Sequence, residues 1–373
     1  MFYNVSAVNC DLVIQLFKEP KLAASLSLEQ WQRIILILRH HQLLARYADR
    51  FSALGLFEKL PEYCQHHFNN ALIIARNQSV QVFFEARELV KNIGEDVESL
   101  IFLKGAGYTL SRHPVGQSRI YNDIDVLVDK QSLKKLEQKL FFLGWVAETL
   151  SDYDERYYRK WSHEIPPLRH SQRGTVIDVH HNIVPLISGR APNVSALRSQ
   201  KLMSLDGYST LSQSAMTLHS TVHLFFNEDM TKGYRDLIDL HILMSECVSH
   251  TYWTDLIELA KETNFERELY LACRYTSIMF GTVIPEIVSL SLKPVSAIKL
   301  RILDFMFMRI LTPAHPYAKP RFYALAEFMV LIRGHYLKMP LPILAYHLCS
   351  KSLVSLTQFL FGKHVFEKEL DKR

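Results

Sequence analysis

The sequence holds no CxxC pair and no clustered, even set of cysteines. Its five, Cys10, Cys64, Cys247, Cys273 and Cys349, are dispersed. That usage excludes a disulfide framework and a cysteine-based zinc site, and it fits reduced thiols in a cytoplasmic protein. The opening residues, MFYNVSAVNCDLVIQLFKEP, lack the basic stretch followed by an apolar one that marks a secretory leader. No run of about 18 apolar residues is free of charge, so no membrane span is expected. Internal repeats, low-complexity tracts and long linkers are missing as well. Neither sign of charge dominates: the formal net charge is +5. A mildly basic chain admits a phosphate-bearing partner, but without a dense Lys/Arg stripe nucleic acid is the disfavoured one.

What is present is a globular composition, 48% hydrophobic and 22% charged over 373 residues, which is too long for one ordinary core. Apolar residues recur at helical spacing from Ser27, a candidate N-cap, through residue 51, and again in a run that stops at Gly94. The pattern then changes. SLIFLKG reads as a short strand ended by glycine, RIYNDIDVLVD as a second strand, and QSLKKLEQKLFFLG as a helix closed by Gly144. Two extended runs, YYRKWSHEIPPLRH and TVIDVHHNIV, flank the polar turn SQRG as in a hairpin. Helical periodicity returns near residue 210. The expected fold class is α+β: a small mixed sheet at 96–190, with helical domains at 1–95 and 191–373.

The stretch NDIDVLVD (122–129) sets acids into an apolar run. On an extended strand, side chains two apart share a face, so Asp123 and Asp125 point together while Ile124 and Val126 pack on the other side. Two carboxylates aimed at one point repel unless a cation lies between them. A hard divalent ion such as Mg²⁺ takes oxygen ligands and shares them with substrate phosphates. Asp178, in the strand-like TVIDVHH, could complete a carboxylate triad from a neighbouring strand and support two ions. Asp129 is read as capping the following helix. FLKGAGY brings Gly105 and Gly107 to a strand–helix turn, where backbone N–H groups can approach an anion.

Glycine at that turn, a D-x-D on the next strand and a lone acid on a later one resemble the polymerase-beta-like nucleotidyltransferase superfamily. More narrowly, LKGAG, SRIYNDIDVLV, IDVHH and RDLIDL are similar to the bacterial uncharacterised nucleotidyltransferase family, over roughly residues 28–245. The resemblance implies a polymerase-beta-like core flanked by helical domains, and a metal-binding triad of Asp123, Asp125 and Asp178. It places Gly105 in the nucleotide-phosphate loop, with Arg119 and His180 matching the family's arginine and acid-x-His histidine. The pair Gly105–Ala106 departs from the superfamily's usual Gly-Ser or Gly-Gly.

Lys104 offers positive charge to a triphosphate, and Arg119 either braces a phosphate or pairs with an acid such as Asp152. His163 and His180 fall on the hairpin strands, where a histidine can steady a metal-bound carboxylate. Asp236 and Asp239 share a helix face and read as anchors for that helix. The apolar segment 338–364 reads as buried helix. The expected function is Mg²⁺-dependent transfer of a nucleoside monophosphate from an NTP, with two Mg²⁺ ions (or Mn²⁺) and an acceptor that is a protein side chain or small molecule in preference to RNA. Asp178 is the expected general base. The competing expectation is a catalytically silent nucleotide-binding or scaffold protein that keeps the fold.

Overall fold

The computed structural model describes residues 9–147 and 152–346. Helices α1 (Cys10–Lys18), α2 (Leu28–His40), α3 (Leu44–Ala53) and α4 (Glu62–Ile93) precede the sheet. Ser27 caps α2 in a reciprocal box: its hydroxyl accepts from Gln30 N, and Gln30 Oε1 accepts from Ser27 N. The single helical run expected from Ser27 to residue 51 is broken at Gln42, which takes a left-handed φ of 58°. Tertiary hydrogen bonds hold the break. Gln42 donates to Asn122 and accepts from Arg235, and the ring of His41 meets the carbonyl of Ala314.

Among the described residues the sheet has seven strands: β1 (Ile101–Phe102), β2 (Ile124–Leu127), β3 (Trp145–Ala147), β4 (Leu168–His170), β5 (Val176–His180), β6 (Lys201–Met203) and β7 (Ser209–Leu211). Their order is β3-β4-β5-β2-β1-β7-β6. β2 runs parallel to β5 and β1 parallel to β7, and the remaining pairs are antiparallel. Helix α5 (Lys104–Leu110) follows β1, α6 (Leu133–Phe142) follows β2, and α7 (Asp152–Lys160) follows β3.

The fold is α+β with a mixed sheet between helical regions, as expected, and three features depart from the sequence reading. β3 was not anticipated. The sheet also takes β6 and β7 from beyond residue 190. The run 157–170 is not one strand: Tyr157–Lys160 end α7, and within β4 Leu168 and Arg169 pair in register with β5. Pro166 and Pro167 explain this, because neither can donate a ladder hydrogen bond. Before them, Glu164 keeps an isolated bridge to His180 and Ile165 N donates to Val179 O. The SQRG turn does close the hairpin, with Gly174 at φ 72°.

Beyond the sheet come α8 (Ser195–Arg198), α9 (Gln213–Phe226), α10 (Gly233–Ser245), α11 (Tyr252–Glu262), α12 (Glu266–Phe280), α13 (Glu286–Ser291), α14 (Ala297–Ile310) and α15 (Tyr323–Lys338). The leading and trailing helices share one core. Phe17 packs edge-on against Phe280, and Tyr47 meets Tyr234 hydroxyl to hydroxyl at 2.9 Å. A second core lies on the other face of the sheet, where Ile124, Val126, Ile177 and Val179 meet Leu89 and Ile93 of α4 and Leu136 and Leu140 of α6. The alternation of β2 therefore sends Ile124 and Val126 into this second core, while Asp125 and Leu127 face the first. The segment from residue 347 on, most of the expected apolar tail, lies outside the described residues.

Candidate active site

The turn from β1 into α5 has no spare residue. Leu103 N donates to Asp125 O, continuing the pairing of β1 with β2, and Lys104 starts the helix from a left-handed φ of 41°. A strained non-glycine residue persists only where its surroundings over-determine it, as at many functional sites. Two close approaches then require glycine. A Cβ at Gly105 would fall on the Arg119 guanidinium and lie 2.8 Å from the Tyr121 ring, and one at Gly107 would lie 2.6 Å from the carbonyl of Phe102. Gly105 and Ala106 are buried under these contacts and do not line the cleft described below. Glycine at 105 thus admits the Arg119 guanidinium.

β2 and β5 pair in parallel with Asp125 directly opposite Asp178 and Leu127 opposite His180. Asp123, Asp125 and Asp178 thereby come to one patch of the sheet. Lys104 Nζ lies 2.8 Å from Asp125 Oδ1, and His180 Nε2 lies 3.0 Å from the same atom. His180 Nδ1 lies 3.2 Å from Glu164. His180, buried behind Asp125, holds that carboxylate in place and is not part of the cleft wall.

The charges set the three acids apart. Burial opposes ionisation of Asp125, but the Lys104 ammonium and the hydrogen bond from His180 outweigh it and hold the carboxyl well below its usual range. Asp123 is raised, by burial first and by Asp125 second. Asp178 is pushed up to about 7, by burial and then by Asp125, Glu164 and Asp123. Lys104 is raised, since Asp125 more than offsets its burial. His180 is raised because Glu164 and Asp125 overcome its own burial.

Asp123 and Asp125 open into a cleft of about 200 Å³ between the sheet and α9–α10. Lys104, Arg119, Lys232 and Arg235 bring positive charge to its wall, and His223 and Asn122 add polar groups. Arg119 donates to Asp239 at 2.8 Å, and Arg46 reaches the other oxygen of Asp239 at 3.2 Å. Arg119 therefore pairs with an acid, as one of the two readings held, but the acid is Asp239 on α10. Both Asp236 and Asp239 line the cleft: Asp239 is held by Arg119 and Arg46, and Asp236 accepts from Arg235. Lys232, half-buried at the start of α10, makes no ion pair within 4 Å among the described residues. Sequence reading passed over Lys232, His223, Asn122 and Glu164. The adjacency of Glu164 to His163 was the one available signal for the last.

The donor set fits a hard divalent cation. It offers oxygens from three carboxylates, and one of them, Asp178 Oδ1, is buried without a hydrogen-bond partner among the described residues. A buried carboxylate oxygen left unpaired is costly, and a bound cation would relieve that cost.

A mixed sheet that presents two acids two residues apart, a third acid opposite them and a cationic cleft alongside is the arrangement of a nucleotidyltransferase core. The profile of the uncharacterised nucleotidyltransferase family matches residues 27–281, and the chain belongs to that family. No protein of curated function matches it. Among the described residues, no helix is long and apolar enough to cross a membrane.

Proposed function

We propose that the protein transfers a nucleoside monophosphate from an NTP to a hydroxyl-bearing acceptor, a protein side chain or a small molecule, with Mg²⁺ as cofactor. The single observation that supports this most is the parallel register setting Asp178 opposite Asp125, with Asp123 and Asp125 on the wall of a cleft lined by cations.

In this reading Asp123 and Asp125 hold the metal, with Asp178 as the third carboxylate. The ion supplies charge neutralisation at the reacting phosphorus and its flanking oxygens. Lys232 faces the triphosphate from α10, and Lys104 holds Asp125 ionised until nucleotide arrives. Arg119 and Arg235, tied to Asp239 and Asp236, keep their guanidinium groups fixed on the cleft wall. The acceptor oxygen bonds to the α-phosphorus, the bond from that phosphorus to the β-bridging oxygen breaks, and pyrophosphate departs. The acceptor proton passes to Asp178, the general base of this reading, whose buried Oδ1 has no hydrogen-bond partner among the described residues.

The test is incubation of the protein and its Asp123→Asn variant with each α-labelled NTP, Mg²⁺ and fractionated cell extract. Label should appear in a discrete protein or small-molecule pool, with release of pyrophosphate, and only with the unaltered chain. Label mainly in RNA would replace the acceptor assignment. Absence of label, together with no Mg²⁺–NTP effect on melting, would overturn the reading.

A further inference from the structure

Next to Asp125, and outside the wall of the cationic cleft, His163, Glu164 and His180 bring one ligand atom each within 4.8 Å of one another. None of the three is a member of the aspartate triad. His163 and Glu164 come from the extended segment after α7 and His180 from β5, held together by the Glu164–His180 bridge and by His181 N donating to His163 O.

Three observations point to a ligand. First, Nδ1 of His163 is buried and has no hydrogen-bond partner among the described residues. A buried imidazole nitrogen left unpaired is unfavourable, so it marks a position where a partner is absent. Second, the His163 and His180 rings lie 5.4 Å apart at 35°, which brings two imidazoles beside one carboxylate. Two histidines and a glutamate, with one coordination position left over, form a ligand set that suits zinc-class ions and not magnesium. Third, the far nitrogen of His180 already donates to Asp125. Metal-binding histidines characteristically donate their second N–H to a carboxylate, which fixes the ring.

The surroundings permit a cation. The two lysines nearest in charge to His163 are Lys104 and Lys338. Each is paired, with Asp125 and Glu228 respectively, so neither stands as an uncompensated positive charge against an ion. An entry path exists too, because Glu164 lines a groove of about 760 Å³ together with Ser162 and His181. Tetrahedral zinc–nitrogen bonds of about 2.0–2.1 Å set ligand atoms about 3.4 Å apart, so the three side chains need to close by up to about 1.5 Å.

We infer that His163, Glu164 and His180 form a binding site for a divalent transition ion of the zinc class, distinct from the aspartate site and joined to it through the His180–Asp125 hydrogen bond. The ion takes the place of a proton on His180 Nδ1. It locks the ring that holds Asp125, so the two sites share one positioning element. The inference stands apart from the transferase assignment, since its ligand atoms belong to none of the three aspartates and its test reads metal binding alone.

Chelator-treated full-length protein titrated with Co²⁺, followed by visible absorption and calorimetry, tests it. One Co²⁺ per chain should bind with the absorption of a low-coordinate site, be displaced by Zn²⁺, and survive millimolar Mg²⁺. His163→Gln and Glu164→Gln should each weaken binding roughly tenfold or more, while Asp123→Asn changes it less than about twofold. Circular dichroism identifies any variant that fails to fold, and the second substitution then carries the test. Displacement by Mg²⁺, equal affinity in the folded His163→Gln or Glu164→Gln variants, or no Co²⁺ binding at all would overturn the inference.

Discussion

Asp125 and Asp178 stand opposite each other in the parallel register of β2 and β5, yet they sit in opposed electrostatic states. Asp125 is neutralised by Lys104 and His180 and lies well below the ordinary carboxylate range. Asp178, with a buried and unpartnered oxygen, is pushed up to about 7. Adjacent strands thus deliver one fixed anion and one group able to take a proton near neutral pH.

Asp123→Asn should leave the fold intact and raise the melting temperature of the metal-free protein, because it removes a charge that burial and Asp125 disfavour. Asp125→Asn should do the reverse, since it strips Lys104 and His180 of their shared carboxylate. Both variants should lose stabilisation by Mg²⁺ plus NTP. Thermal melts with and without ligand decide this. Equal shifts for the two metal-free variants would contradict the distinction drawn between the acids.

The pH dependence of Asp178 has a definite sign. Its folded pKa of about 7 exceeds the ordinary value of 3.8, so the folded state binds the proton more tightly than the unfolded one. Its contribution therefore destabilises the metal-free protein progressively as pH rises from about 4 to about 7. Asp178→Asn should be more stable than the unaltered chain by roughly 1 kcal/mol or more at pH 7.5, with the gap closing toward pH 4. Denaturant unfolding at several pH values measures it, and a constant gap would assign the effect to something other than this carboxyl.

Asp239 is the counter-ion shared by two buried guanidinium groups, those of Arg46 and Arg119. Asp239→Ala should cost about 3–5 kcal/mol, the penalty for leaving buried charge uncompensated. The arginines also reach beyond it: Arg46 donates to the carbonyls of Val115 and Gln117. Chemical denaturation of the variant should therefore show a large loss. A loss below about 1 kcal/mol, the range of exposed pairs, would show that the network is not held as the geometry indicates.

Gly105→Ala tests the close approach at the strand–helix turn. The added methyl meets Arg119 and the Tyr121 ring, so stability should fall by about 1–3 kcal/mol. Nucleotide binding should weaken with it, as Arg119 is displaced from the cleft wall. Unchanged stability with weakened nucleotide binding would instead favour a direct phosphate contact by the backbone at 105.

The sequence by itself determined the local chemistry. Period-two spacing put Asp123 and Asp125 on one face, Ser27 began a helix, SQRG closed a hairpin, and the LKG turn led into a helix. These features depend on side-chain alternation, capping and turn geometry within a few residues, which the chain carries locally. The tertiary structure decided the partners. Nothing near Arg119 in sequence announces Asp239, 120 residues on. Nothing near His180 announces Glu164 across an interrupted strand, and the role of Lys232 depends on where α10 packs. Nor does local pattern reveal that Gln42 breaks a helix to reach Asn122 and Arg235, or that β6 and β7 join the sheet. Such contacts form only when distant segments are brought together by burial of a common core, so their energies are set by the packed fold and leave no periodic trace in the chain.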